Sequence, residues 1–159
     1  MNKLNLCSVI IGQLEAALKS ASAAADQARA TATDKQNIAE NKYDTLGLEA
    51  AYLAHGQSGR VVQLANALDN FRKLLTSIQP HDQIEMGSLV SLEDESGVER
   101  YVFIGPAAGG ELVTFEGKNI TVITANSPLG QSLMTLATDD EVMTEIAGRK
   151  INYLISGLW

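Results

Sequence analysis

Ser127-Pro128-Leu129-Gly130-Gln131-Ser132-Leu133-Met134, followed by Thr138-Asp139-Asp140-Glu141-Val142-Met143, is the stretch that decides the fold. Ahead of it runs Val122-Ile123-Thr124-Ala125-Asn126, whose β-branched residues read as the end of a strand. Ser127 is then a helix N-cap, its hydroxyl placed to accept a free amide of the first turn. Pro128 takes the first helical position, where the missing N–H costs nothing. Leu129, Leu133 and Leu136 recur at helical spacing and press one face of a short helix onto a sheet. The acidic turn Asp139-Asp140-Glu141 leads into a further strand from Val142.

Around this block the second half reads as short strands separated by Gly-containing turns: residues 88–92, 101–104, 112–115, 120–123, 142–146 and 151–155, with Gly148 as a hairpin turn between the last two. The expectation is a compact antiparallel sheet with one short helix. The domain boundary is placed near Gln79 to Gln83, giving domains 1–79 and 80–159.

Before Pro80 the period changes. Leu4, Cys7, Ile11, Leu14, Leu18, Ala21, Ala25, Ala28 and Ala32 alternate spacings of three and four, a heptad seam on a long helix. A second seam runs Val61, Leu64, Leu68, Phe71, Leu75 and Ile78, extending less regularly back to Tyr43. Two such helices joined by a connection at residues 33–39 read as an antiparallel hairpin. Its base is thick with Leu, Ile, Val and Phe, whereas its free end is lined by Ala and is slender. The same seam could instead pair two chains, because a heptad does not specify its partner. A monomer is favoured, since Asp34 and Asn37 suit a turn.

The composition, 45% apolar and 19% charged over 159 residues, is that of a folded chain of one or two domains. The net charge of -7 is divided unevenly: residues 1–79 carry +1 and residues 80–159 carry -8. An acidic second half disfavours a phosphate backbone as partner, so no sequence-specific DNA binding is expected, and a protein with basic surfaces fits better. One cysteine and two histidines exclude a disulfide framework and a zinc-type cluster, and point to a reducing, cytoplasmic setting. No apolar run approaches the roughly 20 residues that span a bilayer, and no membrane association is expected.

The order Asn126-Ser127-Pro128, short Leu-patterned helix, acidic turn and Val-led strand resembles the Gre family of bacterial transcription elongation factors. The residues Met86-Gly87-Ser88-Leu89-Val90-Ser91-Leu92 and the strand over 100–105 are similar to that family too. In the first half, Gly56-Gln57-Ser58-Gly59-Arg60-Val61 and Glu40-Asn41-Lys42-Tyr43-Asp44 look like its Gly-x-x-Gly-Arg-Ile/Val and Glu-Asn-x-x-Tyr segments, the latter one residue shorter here. The resemblance implies an α+β chain: an N-terminal antiparallel coiled-coil hairpin followed by a C-terminal domain of the FK506-binding-protein type.

It also implies a partner, bacterial RNA polymerase. The globular domain would dock on the polymerase, with Ser127, Pro128, Leu129, Leu133, Asp139, Asp140 and Glu141 as the expected docking residues, while the hairpin enters the secondary channel. In the family, two acids at the hairpin tip, spaced Asp-x-x-Glu, help hold the polymerase's second magnesium and a water, so that the polymerase cleaves its own backtracked RNA. Two-metal phosphoryl chemistry needs such carboxylates. The chain would then be an accessory factor and not an enzyme, with no cofactor or metal of its own beyond a magnesium shared at the polymerase active site.

At the tip this sequence departs from the pattern. Alignment on Tyr43 places Gln36 and Ala39 at the acidic positions; alignment on residues 56–61 places Asn41 and Asp44 there. The carboxylates left at the tip are Asp34, Glu40 and Asp44. Glu40 and Asp44, at i and i+4, fall on one helical face and could hold a cation together. As ordinary solvated charges they would instead sit beside Lys42, with Asp34 capping a helix. Two functions therefore stay open: stimulation of transcript cleavage, and occupancy of the same channel without it. A third, a coiled-coil protein whose second domain binds peptides, is the weakest.

Other residues read structurally first. Cys7 lies on the seam as a small hydrophobe. His55 reads as a surface or interhelical residue. Gly56 and Gly59 each cost about 1 kcal/mol against Ala in a helix, for which close helix approach is the first explanation and a polymerase contact the second. Trp159 covers the sheet core or, if exposed, anchors a partner.

Overall fold

In the computed structural model the described residues are 1–33, 46–146 and 148–159. They form α1 (Lys3–Thr33), α2 (Leu46–Ser77), β1 (Leu89–Asp94), β2 (Glu99–Gly105), β3 (Leu112–Phe115), β4 (Lys118–Thr124), α3 (Pro128–Leu133), β5 (Glu141–Ile146) and β6 (Arg149–Leu158). Two compact units are distinguished, Met1–Ile11 with Asp69–Trp159, and Gly12–Leu68.

In the first unit one six-stranded sheet has the order β3-β4-β2-β1-β6-β5. Its pairs are antiparallel except β2–β4, which is parallel with Tyr101 opposite Ile120 and Phe103 opposite Val122. The parallel pair arises because the chain leaving β2 crosses over through residues 106–111. It lays down β3 at the edge and returns as β4 between β3 and β2. Ala108 (φ 58°) and Gly110 (φ 93°) carry that crossover, and Gly110 N–H donates to the Val122 carbonyl. The sheet is thus antiparallel in all but one pair.

One sheet face holds the core under α3: Val90, Leu92, Val102, Ile104, Val142, Tyr153 and Ile155, closed by Leu133 and by Ile84 from the segment before β1. Strand alternation puts Leu89, Phe103 and Val122 on the opposite face. That face meets the end of α2, where the rings of Phe71 and Phe103 stack with centroids 6.3 Å apart.

The chain directions of the two long helices follow from their ends in this unit. Lys3 Nζ donates to the Gln79 carbonyl at 2.7 Å and the Cys7 thiol to the Phe71 carbonyl at 3.8 Å, so the helices run antiparallel. Here the buried face is wider than the heptad seam predicts: Leu6 and Ile10 are buried with Cys7, while Leu4 is 45% exposed. A coiled-coil seam serves one neighbour, whereas a helix end within a sheet-containing unit must cover a second layer.

In the second unit the buried residues are Leu14, Ala21, Ala25 and Ala28 on α1, and Leu64, Ala67 and Leu68 on α2. Leucine gives way to alanine along α1, as the seam predicts. On α2 none of residues 51–60 is buried. Gly56 and Gly59 sit inside an unbroken helix, and a Cβ built on either would meet nothing within 4 Å. Close helix approach therefore does not explain them among the described residues.

Candidate functional site

The block around Ser127 is organised by one carbonyl. Where β4 ends, the Thr124 oxygen accepts from Ser127 N–H at 3.0 Å and from the Ser127 hydroxyl at 2.7 Å. Ser127, extended at φ -69° and ψ 155°, in turn accepts from Gly130 N–H at 3.1 Å through the same Oγ. The expected N-cap and first-position proline are both present. Gln131 N–H donates to the Ser127 carbonyl at 2.8 Å, and its side chain reaches back to the Asn126 carbonyl at 3.1 Å. The strand end and the first turn of α3 thus form one hydrogen-bonded knot.

Gly130 and Gln131 are members of the knot to which the sequence assigns no role. A Cβ at Gly130 would overlap the Thr124 carbonyl oxygen. The signal was available as a glycine three residues beyond a capping serine, where a helix former is otherwise expected.

From α3 the chain returns under the core. Ile84 N–H donates to the Leu136 carbonyl at 2.7 Å and Thr135 N–H to the Ile84 carbonyl at 2.9 Å, clipping the end of α3 to the segment before β1. The acidic turn follows. Asp140 Oδ2 accepts from Ala137 N–H at 2.8 Å and Asp139 adopts a left-handed φ of 73°, so both carry the turn's geometry. Asp139 N–H donates to the Ile155 carbonyl and Ile155 N–H to the Asp140 carbonyl, each at 2.9 Å, fixing the turn to β6.

The expected docking residues are brought together in part, since α3 packs beside β5. Pro128, Asp139, Asp140 and Glu141 are exposed; Ser127 and Leu129 are half-buried. Leu133, expected among the docking residues, is instead fully buried in the core, because its face of α3 packs onto the sheet, and it is no part of that surface. The surface these residues offer is a proline on a capped helix beside three carboxylates, a pattern suited to an apolar contact flanked by basic groups.

Asp34, Glu40 and Asp44, with the alternative tip positions Gln36, Ala39 and Asn41, lie outside the described residues. Among the described residues no group of three or more His, Cys, Asp or Glu is placed to hold a metal ion, and no helix is long and apolar enough to cross a membrane.

Cys7 is buried, and burial pushes its thiol up to about 11. His55 is exposed. His81, in the segment entering β1, contacts Glu85 through Nδ1 at 2.7 Å and Ser88 Oγ through Nε2 at 2.8 Å. Ser88 is fully buried and also accepts from Glu85 N–H at 2.9 Å, so this trio clasps the turn and offers no accessible nucleophile. Trp159 is half-buried, its backbone paired with Leu89 and its ring lying over Gly157.

The family model described as Transcription elongation factor, GreA/GreB, C-term matches residues 79–158, half of the chain. Among solved structures, GreA factor homolog 1 (Gfh1) of Thermus thermophilus is similar over 94% of both chains at 16% identity, with a TM-score of 0.37. Gfh1 of Thermus aquaticus covers 92% of both chains at 18% identity and a TM-score of 0.39. A further structure of the transcription factor Gfh1 covers 93% of this chain and 92% of its own, at 21% identity and 0.41. No curated protein sequence matches the chain.

Proposed function

Since the chain belongs to the GreA/GreB family of transcription elongation factors, we propose that it binds bacterial RNA polymerase through the α3 surface and the acidic turn, and inserts its helical hairpin into the secondary channel. The observation that carries this reading is the family match over residues 79–158, which contains the whole Ser127 knot. In this reading the factor rescues backtracked complexes by stimulating transcript cleavage. Glu40 and Asp44 supply the carboxylates beside the polymerase's magnesium, and the polymerase performs the chemistry.

A second reading is favoured by one feature of the sequence, the absence of Asp-x-x-Glu at the tip in either alignment. The factor would then occupy the channel without stimulating cleavage and compete with other channel ligands. Both readings share the docking surface, as fold alone does not fix activity.

The experiment mixes the purified chain with stalled, backtracked bacterial elongation complexes and magnesium, following labelled RNA length and co-elution with polymerase. Faster internal cleavage supports rescue. Co-elution without cleavage supports the competitor. Neither would remove the polymerase from the reading.

A further inference from the structure

A second site lies on the sheet face beside α3. A cavity of about 360 Å³ opens there, within the size range of ligand pockets. Its apolar wall includes Leu92, Val102, Ile123 and Leu129. Tyr153 also lines it. That side chain is only 1% exposed, and its hydroxyl has no hydrogen-bond partner among the described residues. The hydroxyl oxygen is reached through the cavity, so an acceptor that enters takes its hydrogen in place of water.

The mouth carries a matching asymmetry of charge. Glu99 is engaged, accepting from the Tyr101 hydroxyl at 2.7 Å and lying 3.7 Å from Lys118 Nζ. Arg100, exposed at the same mouth, has no ion pair among the described residues. In a half of the chain that carries -8, an unpaired guanidinium at the rim of an apolar cavity selects for a carboxylate.

We propose that this cavity binds a short acidic peptide, with a leucine or phenylalanine side chain against Leu92, Val102, Ile123 and Leu129. The adjoining peptide carbonyl accepts from Tyr153, and a neighbouring carboxylate pairs with Arg100. A peptide suits the pocket because it supplies the apolar group, the carbonyl and the acid within two or three residues. The site does not rest on polymerase binding, and it is tested on the isolated full chain.

The test is a titration of the ¹⁵N-labelled chain with acetyl-Glu-Leu-Phe-Glu-amide, with acetyl-Lys-Leu-Phe-Lys-amide as the charge-reversed control. The expected result is saturable shifts at the Val102, Ile123 and Leu129 amides with a Kd below about 1 mM. Arg100→Glu should weaken the acidic peptide about tenfold or more and narrow the preference over the basic one. Tyr153→Phe, which keeps the ring, should weaken it about threefold to tenfold. Absence of saturable shifts at these amides, equal affinity for the two peptides, or unchanged binding in Arg100→Glu would each overturn the proposal. Arg100 is exposed, so that variant retains the fold even if Tyr153→Phe does not.

Discussion

Gly130 lies against the carbonyl oxygen of Thr124 so closely that no side chain fits between them. That carbonyl already accepts the backbone and hydroxyl of Ser127, so it cannot turn away without breaking the cap. Gly130→Ala should therefore displace the first turn of α3 and cost about 3 kcal/mol. A urea titration followed by far-UV circular dichroism would show it as a lower midpoint at unchanged slope. A midpoint equal to that of the unmodified chain would rule out the close approach.

Ser127→Ala is a milder lesion at the same knot. It removes the acceptor for Gly130 N–H and the donor to Thr124, and should cost about 1 kcal/mol. Thr at the same position keeps a hydroxyl and should recover most of the loss. If polymerase affinity falls in Ser127→Ala far more than stability does, the hydroxyl also touches the partner.

Gly56 and Gly59 open the opposite case. Each lies exposed within α2 with free space where a Cβ would be. Replacing both by Ala should stabilise the helix by about 1 kcal/mol per site, read as a rise in thermal midpoint. Loss of polymerase binding in the stabilised double variant would identify the glycines as a place where the partner's surface approaches the helix backbone. Retained binding would leave them without a role there.

The elements were legible in the sequence wherever one physical signal dominated. Ser127-Pro128 announces the helix start because cap and proline act locally, and the β-branched runs place the strands because each packs one face on a core. The parallel β2–β4 pair was not legible, since strand content fixes faces and leaves neighbours open. Only the crossover through Ala108 and Gly110 decides who pairs with whom. The seam likewise named Cys7, Leu14 and Phe71 correctly but put Leu4 inside, where the structure buries Leu6 and Ile10. Periodicity reports the face turned to one partner and is silent about a second layer. Gly130 escaped notice because its role is set by an oxygen six residues earlier on a different element.

Cys7 offers a chemical test of the helix base. With the thiol pushed up to about 11, the reactive thiolate is scarce at neutral pH, and the sulfur is buried besides. A disulfide reagent such as dithionitrobenzoate at pH 8 should label the folded chain far more slowly than the urea-unfolded one. Because the folded value lies above the ordinary 9.0, this group's contribution to stability is complete below pH 9 and is lost as pH rises through about 11. Cys7→Ser should remove that alkaline component and lower stability at neutral pH, because a hydroxyl loses more hydration on burial than a thiol does. Rapid labelling of the folded chain would mean that the base opens.

The tip decides between the two functional readings, and its acids can be tested without disturbing the docking surface. Glu40→Ala with Asp44→Ala removes the two carboxylates that share a helical face in the sequence pattern. If they position the polymerase's magnesium and water, the double variant should bind elongation complexes unchanged while cleavage of backtracked RNA falls at least about a hundredfold, since each carboxylate acts on the charge of the transition state. Asp34→Ala, which on the capping reading removes only a helix cap, should leave the cleavage rate within about twofold. Restoring acids at the family spacing supplies the complementary arm: Gln36→Asp with Ala39→Glu, or Asn41→Asp with Asp44→Glu, should create or raise cleavage in whichever alignment is right. A chain that binds, does not cleave, and gains cleavage from one of these pairs would be a channel occupant whose activity was set aside by two side chains, with the rest of the scaffold intact.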